Sequence, residues 1–347
     1  MSNWFSRLLG RDVKTAVTSR LVSLAAGRVS RWVPRALPAL IEAGYARNAI
    51  ANRCVRLIAE AAASVPFRAS DPAVQRLLER PNADTSGPEL WESLYGYLQL
   101  AGNAYLELAT LDETPRELFI LRPDRMRVLA DPAGWPTGWE YSAGGYRRRF
   151  ERDRATGRSQ VFHMRLFHPA DDHYGLSPLE PAGRAVELHT AGADWARALL
   201  DNAARPSGAL VFNGADGHLT EDQFDRLKGE LANAHTGAAN AGRPLLLEGG
   251  LDWKPMAMSP AEMDFIEARR EAAREIALAF GVPPLILGLP GDNTYANYRE
   301  ANLAFVRQTV TPLARKTARA LAVWLQPWFG ESLTIEAETR DPEEGGE

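Results

Sequence analysis

Ser177-Pro178-Leu179-Glu180 and Ser259-Pro260-Ala261-Glu262 open two helical runs in the same way. In each, the serine hydroxyl is placed to accept from an early backbone N–H and the glutamate to reach back to the serine N–H. Proline takes the first helical position, where no donor is needed. The first run spans about 178–204, roughly 40 Å at the helical rise. It carries Val186, Leu188, Ala193, Trp195, Ala196, Leu199 and Leu200 and stops before Pro206. The second spans about 260–280, roughly 30 Å. One side of it carries Phe265, Ile266, Ala272, Ala273, Ile276 and Phe280. The other carries Glu267, Arg269, Arg270, Glu271, Arg274 and Glu275, with Glu267–Arg270 and Glu271–Arg274 at helix-pairing distance.

After the second run come Gly281-Val282-Pro283-Pro284, a glycine-rich loop, and a third helix over about 294–326 in which Pro312 predicts a kink. Between the first two runs, 206–258 reads as a small module. It has a strand at 209–212, a short helix at 221–234 capped by Thr220, a small-residue loop at 234–242, and a hairpin of 244–248 with 251–256 through Gly249-Gly250. This layout suggests a mechanical part more than a pocket.

Upstream, 46–64 reads as a helix with a small-residue face that ends before Pro66. A short helix at 71–80 stops at Arg80-Pro81-Asn82. Ser86 is placed to cap a helix over 88–101, and Gly102-Asn103 ends it. From Tyr105-Leu106-Glu107-Leu108 onward the pattern is β, with short runs at 117–122, 125–129, 139–141, 147–151 and 160–165 between Pro, Gly and Asp turns. Residues 1–175 therefore read as an α/β or α+β domain.

The chain of 347 residues is long enough for two or three domains, and its 45% hydrophobic and 24% charged residues are ordinary for a folded soluble chain. No apolar run is long enough to predict a membrane-spanning helix. The single cysteine, Cys54, excludes an intrachain disulfide framework and a cysteine-based zinc site, and it lies in an amphipathic pattern that predicts a buried thiol. Basic residues are almost all arginine, which reads as genome composition. The net charge of −4 is unevenly placed, with a basic start at 1–35 and an acidic end at 331–347. The start reads as an arm for a partner or nucleic acid, as disorder, or as a membrane-surface or targeting segment. An acidic-to-neutral chain makes a poor tight binder of duplex DNA but suits a surface past which DNA slides.

Catalytic signatures are sparse. A Walker A loop, a Gly-x-Ser-x-Gly elbow, a His-Glu-x-x-His pair and the dinucleotide fingerprint are all missing. His163, His168 and His173, with Asp171 and Asp172, resemble metal ligands at first sight. Residues five apart on a strand face opposite sides, so no metal site is expected. Asp264, Glu267 and Glu271 sit among arginines and read as an ion-pair face.

In order and spacing the chain resembles the portal proteins of tailed bacteriophages of the HK97 type, including those of gene transfer agents. The matching pieces are Arg80-Pro81-Asn82, Gly102-Asn103-Ala104-Tyr105, Leu121-Arg122-Pro123, Phe162-His163 and Gly175-Leu176-Ser177-Pro178-Leu179. The strongest are Leu247-Glu248-Gly249-Gly250-Leu251-Asp252-Trp253, Met258-Ser259, Met263-Asp264-Phe265, Arg274-Glu275-Ile276-Ala277, Phe280-Gly281-Val282-Pro283-Pro284, Leu287-Gly288 and Asn297-Tyr298.

The resemblance implies an α+β portal fold. A basic arm at 1–35 would precede an α/β wing at 36–177. Residues 178–205 would be the first stem helix, 206–258 a small α/β clip, and 259–281 the second stem helix. A channel loop at 282–294 would follow, then a kinked wing helix at 295–330 and an acidic tail at 331–347. The family continues into a helical crown, expected here to be short or absent.

The implied function is structural. Twelve copies would form a ring at one capsid vertex that conducts double-stranded DNA during packaging and ejection, without sequence specificity. The implied partners are a large terminase ATPase, a head–tail adaptor and the major capsid protein, in a virion assembled in the bacterial host cytoplasm. No cofactor, membrane or catalytic activity is expected. Pro283, Pro284, Leu285, Gly288, Gly291, Asp292 and Asn293 would line the channel. Glu267, Arg269, Arg270, Glu271, Arg274 and Glu275 would form the stem interface, and Asp222, Asp225 and Arg226 would meet the motor. Two alternatives stand beside this: a metal-dependent hydrolase using the 163–173 histidines, and a membrane-associated scaffold using the basic start.

Overall fold

The computed structural model describes residues 37–201, 208–212, 220, 222, 225–226, 251–255, 265–289 and 295–339. Outside them lie the basic arm, the serine-proline start at 259–262, the small-residue loop at 234–242, the 244–248 strand with its Gly249-Gly250 turn, Gly291, Asp292 and Asn293, and the tail beyond Thr339. The expectation about the crown therefore also falls outside.

Helix α1 (Leu37–Leu40) runs into a π-helical turn, Ile41–Ala46, and α2 (Ala49–Ala63) follows. It begins at 49 because the Asn48 side-chain oxygen accepts from the N–H groups of Ile50 and Ala51, each at 3.1 Å. Its small-residue face, Ala51, Cys54, Ile58 and Ala62, is fully buried. Burial pushes the Cys54 thiol up to about 12, so it stays protonated and packs as a small apolar group.

Strand β1 (Phe67–Ala69) leads to α3 (Pro72–Glu79), capped by Asp71, and to α4 (Gly87–Ala101). Both the N–H and the hydroxyl of Ser86 donate to the Glu89 carboxylate, at 2.8 and 2.9 Å, holding that carboxyl below its ordinary range. Pro81 and Asn82 do more than stop α3. The Pro81 carbonyl accepts from Leu118 N–H at 2.7 Å and the Asn82 amide donates to Leu118 O at 2.9 Å, so this turn pairs with a strand.

Two antiparallel sheets follow. Strands β2 (Asn103–Leu111), β3 (Thr114–Leu121) and β7 (Val161–Arg165) pair in the order β3-β2-β7. Strands β4 (Met126–Ala130), β5 (Pro136–Ala143) and β6 (Tyr146–Glu151) pair in sequence order. The alternation along β2 sets the layering. Ala104, Leu106 and Leu108 join the main core with α2 and α4, while Tyr105 joins a second core with Leu121, Met126, Trp139, Phe150 and Val161. The β3-β2-β7 sheet is thus covered by helices on one face and by the other sheet on the second.

Helix α5 (Gly183–Asp201) starts five residues later than its serine-proline signature predicts. The Ser177 hydroxyl does accept from Leu179 N–H, at 3.0 Å. Pro181, however, has no N–H to close the first α-turn on the Ser177 carbonyl. Glu180 N–H takes that carbonyl instead, at 3.1 Å, and the regular helix forms only after Pro181. Strands β8 (Gly208–Phe212) and β9 (Leu251–Pro255) pair antiparallel.

Helix α6 (Phe265–Phe280) packs along α5. The expected single kinked helix is two helices, α7 (Tyr295–Phe305) and α8 (Thr311–Phe329), joined by a π-helical turn, Val306–Val310. Thr311 N–H bonds Val306 O, five residues back, which brings Pro312 into the first turn of α8, where its missing donor costs nothing. The stretch read as an acidic tail opens with β10 (Ile335–Ala337), paired antiparallel with β1.

Candidate functional site

Three sequence pieces far apart in the chain meet at one joint ahead of α5. Gly102, at φ +69°, lies against Gly175 so closely that a Cβ on Gly102 would sit 2.4 Å from the Gly175 carbonyl oxygen. The reverse substitution would leave 2.1 Å. Asn103, buried, ties Gly175 to the end of α4: its side-chain oxygen accepts from Gly175 N–H at 2.8 Å and its amide donates to Ala101 O at 2.8 Å. Ser177, also buried, donates its hydroxyl to Gln99 O at 2.7 Å. The end of α4 and the start of α5 are therefore tied by backbone-level contacts, with no long side chain to flex.

His163 completes the joint. Its Nε2 lies 3.0 Å from Asn103 Oδ1 and its ring stacks on Tyr105, with centroids 4.2 Å apart. Trp139 Nε1 approaches Nδ1 at 3.5 Å. Burial, then Arg165 and His173, pushes its pKa down to about 3, so the ring is neutral at physiological pH. Its nitrogens are engaged in packing. His168 lies in the turn beyond β7, where its Nδ1 accepts from Ala170 N–H at 3.1 Å. Among the described residues no group of three His, Cys, Asp or Glu side chains is placed to hold a metal.

Asn48 ties α2 to α5. Its amide nitrogen donates to Val186 O at 3.4 Å and lies 3.3 Å from both His189 Nδ1 and Thr190 Oγ1. Farther along α5, Gly192 faces Arg269 of α6. Arg269 thus differs from its neighbours on the charged stripe, because its aliphatic stem packs on α5. Glu267–Arg270 and Glu271–Arg274 form the expected exposed pairs, at 3.4 and 3.3 Å, and Glu275 is exposed. The apolar side, Ala272, Ala273, Ile276 and Phe280, is buried.

Helix α6 ends on Gly281 at φ +66°, where Val282 N–H bonds Ala277 O at 2.9 Å and Gly281 N–H bonds Leu278 O at 3.0 Å. A 3-10 turn, Pro284–Leu287, follows and ends the same way on Gly288, at φ +71°. Ile286 and Leu287 pack on the main core, and Pro283, Pro284 and Leu285 are partly buried. The first half of the expected channel loop is therefore a stiff, anchored turn. Asp222, Asp225 and Arg226 are helical and exposed.

Sequence reading found the glycine, serine and histidine pieces of the joint without placing them together. It missed Asn48 and Gly192. An asparagine just ahead of a helical pattern is a cap signal that was available. Nothing local marks Gly192.

A two-sheet body tied through a glycine–asparagine joint to a long helix pair, with a doubly capped turn leading on to the next helix, is the architecture of a portal subunit. The chain belongs to the phage portal protein family, whose match covers residues 49–343. It is 40% identical over 301 residues to an uncharacterized protein of Rickettsia bellii (strain RML369-C), covering 84% of this chain and 78% of that one. A chain in the neck of a native gene transfer agent particle, computed with C12 symmetry, is 50% identical, with 88% of this chain and 85% of that one covered and a TM-score of 0.68. An HK97-family phage portal protein from Corynebacterium diphtheriae, 16% identical, shares the fold at a TM-score of 0.61, with 87% and 94% covered.

Proposed function

We propose that this chain is the portal subunit, the head–tail connector, of a gene-transfer-agent-like particle. Twelve copies close into a ring at one capsid vertex, and double-stranded DNA passes through it during packaging and ejection. The observation that carries this reading is the joint that fuses Gly102-Asn103, His163 and Gly175–Ser177 ahead of α5. Three of the pieces that mark the family fasten the sheet body to the helix pair, as a ring under load requires. The half-identical chain in a C12 neck supports the stoichiometry.

In this reading the two-sheet body is the wing and the α5–α6 pair is the stem. The exposed pairs on α6 meet the neighbouring subunit through a heterologous contact that closes. Residues 206–258 form the clip, where Asp222, Asp225 and Arg226 meet the terminase ATPase during packaging and the tail adaptor afterwards. The major capsid protein surrounds the ring after assembly in the host cytoplasm. The chain supplies a conduit, and the packaging energy comes from the separate motor.

Native mass spectrometry of the ring released from particles tests this. Twelve copies of the 38.2-kDa chain give roughly 460 kDa. A protein that is monomeric in purified particles defeats the reading. Reversing the charges of Asp222, Asp225 and Arg226 is expected to lower motor binding while leaving the ring mass unchanged.

A further inference from the structure

The small sheet formed by β1 and β10 is closed on one side and open on the other. On the outer side of β1, Ala69 N–H donates to Gln75 Oε1 at 2.7 Å and Phe67 O accepts from Gln75 Nε2 at 3.1 Å. That edge is capped by a side chain of α3. Between the strands, Glu338 N–H bonds Pro66 O at 2.8 Å and Ser70 N–H bonds Thr334 O at 3.0 Å. This register turns the backbone groups of Ile335 and Ala337 away from β1. Of these outward groups, only the Ala337 carbonyl has a partner among the described residues, Thr339 N–H at 2.9 Å. The open edge faces a groove of about 640 Å³, whose far wall is Arg315, Arg319, Val323 and Gln326 of α8. Val323 is 69% exposed there, and neither arginine forms an ion pair among the described residues.

We propose that residues 340–347 of the same chain fill this groove as a third strand beside β10, with their carboxylates on Arg315 and Arg319. Four observations converge on this occupant. The described chain leaves at Thr339, whose hydroxyl already accepts from Arg315 Nη2 at 3.0 Å. The bend at 337–339 uses the outward carbonyl of Ala337, so the chain turns toward the open edge. The segment beyond carries Asp341, Glu343, Glu344 and Glu347 against Arg340 alone, the complement of a groove wall whose Arg315 and Arg319 form no ion pair among the described residues. Its reach suffices: extended residues advance about 3.3 Å each, while Arg315 to Val323 spans only about 12 Å of helix.

Pro342, which lacks an N–H, falls in the turn ahead of the residues that would donate to Ile335 O. A covered β10 edge also removes a template on which free subunits would pair edge to edge before ring closure.

Cysteines placed at Val323 and Glu344 in the full chain test the proposal, since Cys54 is buried and does not compete. Mild oxidation in dilute solution is expected to give an intrachain disulfide, read by intact mass and non-reducing electrophoresis. Arg315→Ala with Arg319→Ala should lower its yield at least about fivefold. A disulfide between two copies would place the tail on a neighbour and overturn the proposal, as would the absence of any disulfide. A second measurement needs no cysteine. Hydrogen exchange at the Ile335 and Ala337 amides should be at least about tenfold faster in a chain ending at Thr339 than in the full chain. Equal rates overturn it.

Discussion

Gly192 of α5 gives room to Arg269 of α6: a Cβ at Gly192 would lie 2.7 Å from Arg269 Cγ and 3.0 Å from Cδ. The two helices thus pack at the distance the arginine stem allows. Its Nε is buried there without a partner among the described residues, and it lowers the pKa of nearby His189, after burial. A long polar side chain is used as an apolar spacer.

Gly192→Val is therefore expected to cost about 1–3 kcal/mol by overpacking. Thermal unfolding followed by circular dichroism reads this as a drop of several degrees. Adding Arg269→Ala should recover part of the loss, because the clashing stem is gone. A double variant that loses the simple sum of the two single effects would show that the helices do not meet at this pair.

Gly102→Ala should be far more damaging. It would place a methyl group 2.4 Å from a backbone oxygen that cannot swing away, on a residue already at φ +69°. A loss above about 4 kcal/mol is expected, enough to abolish soluble expression. Gly134→Ala, also at positive φ but with open space around it, is the control and should retain folding.

His163 makes stability depend on pH. Its folded pKa of about 3 lies below the ordinary 6.5, so protons bind the unfolded chain more tightly. The stabilisation is complete above about pH 6.5 and declines as pH falls toward 3. At pH 5.5 the loss is about 1.4 kcal/mol. His163→Gln should be less stable at pH 7.5, and the gap in melting temperature should narrow by pH 5. Parallel curves for the two proteins would show that the ring titrates normally in the fold.

The loop after α6 divides at Gly288. Residues 282–288 are anchored by Ile286 and Leu287 on the core. Beyond them the loop has one acidic residue, Asp292, and no basic one, so in the proposed conduit its contact with DNA would be steric and backbone-mediated. Deleting 289–292, which leaves the Gly288 turn in place, should preserve rings and capsids but lower the nuclease-protected DNA per particle. Equal DNA, with rings seen by electron microscopy, would make the loop a plain connector.

Local chemistry written in short spans could be read from the sequence. Ser86 caps its helix, Gly102 ends α4, and Cys54 lies on a buried small-residue face. Glu267–Arg270 and Glu271–Arg274 pair as their spacing requires. Each of these depends on residues within about one helical turn, so periodicity and cap preference suffice. The family was also legible, because its motifs keep their order along the chain.

Tertiary structure alone decided where those motifs meet. Gly102, His163 and Gly175 are far apart in sequence, and only the pairing of β2 with β7 brings Asn103 and Tyr105 beside His163. Likewise Gly192 is unremarkable until α6 lies against it. The late start of α5 and the split of the last long helix follow from prolines at 181 and 312. Their missing donors are local, but whether the chain answers with a 3-10 turn, a π turn or a kink depends on what each segment packs against. The sequence by itself determined most of the elements, several of their caps and the family, because those are short-range. Pairing across long separations, which closes the joint and leaves β10 with an open edge, depends on burial shared among distant residues and is set only in the folded chain.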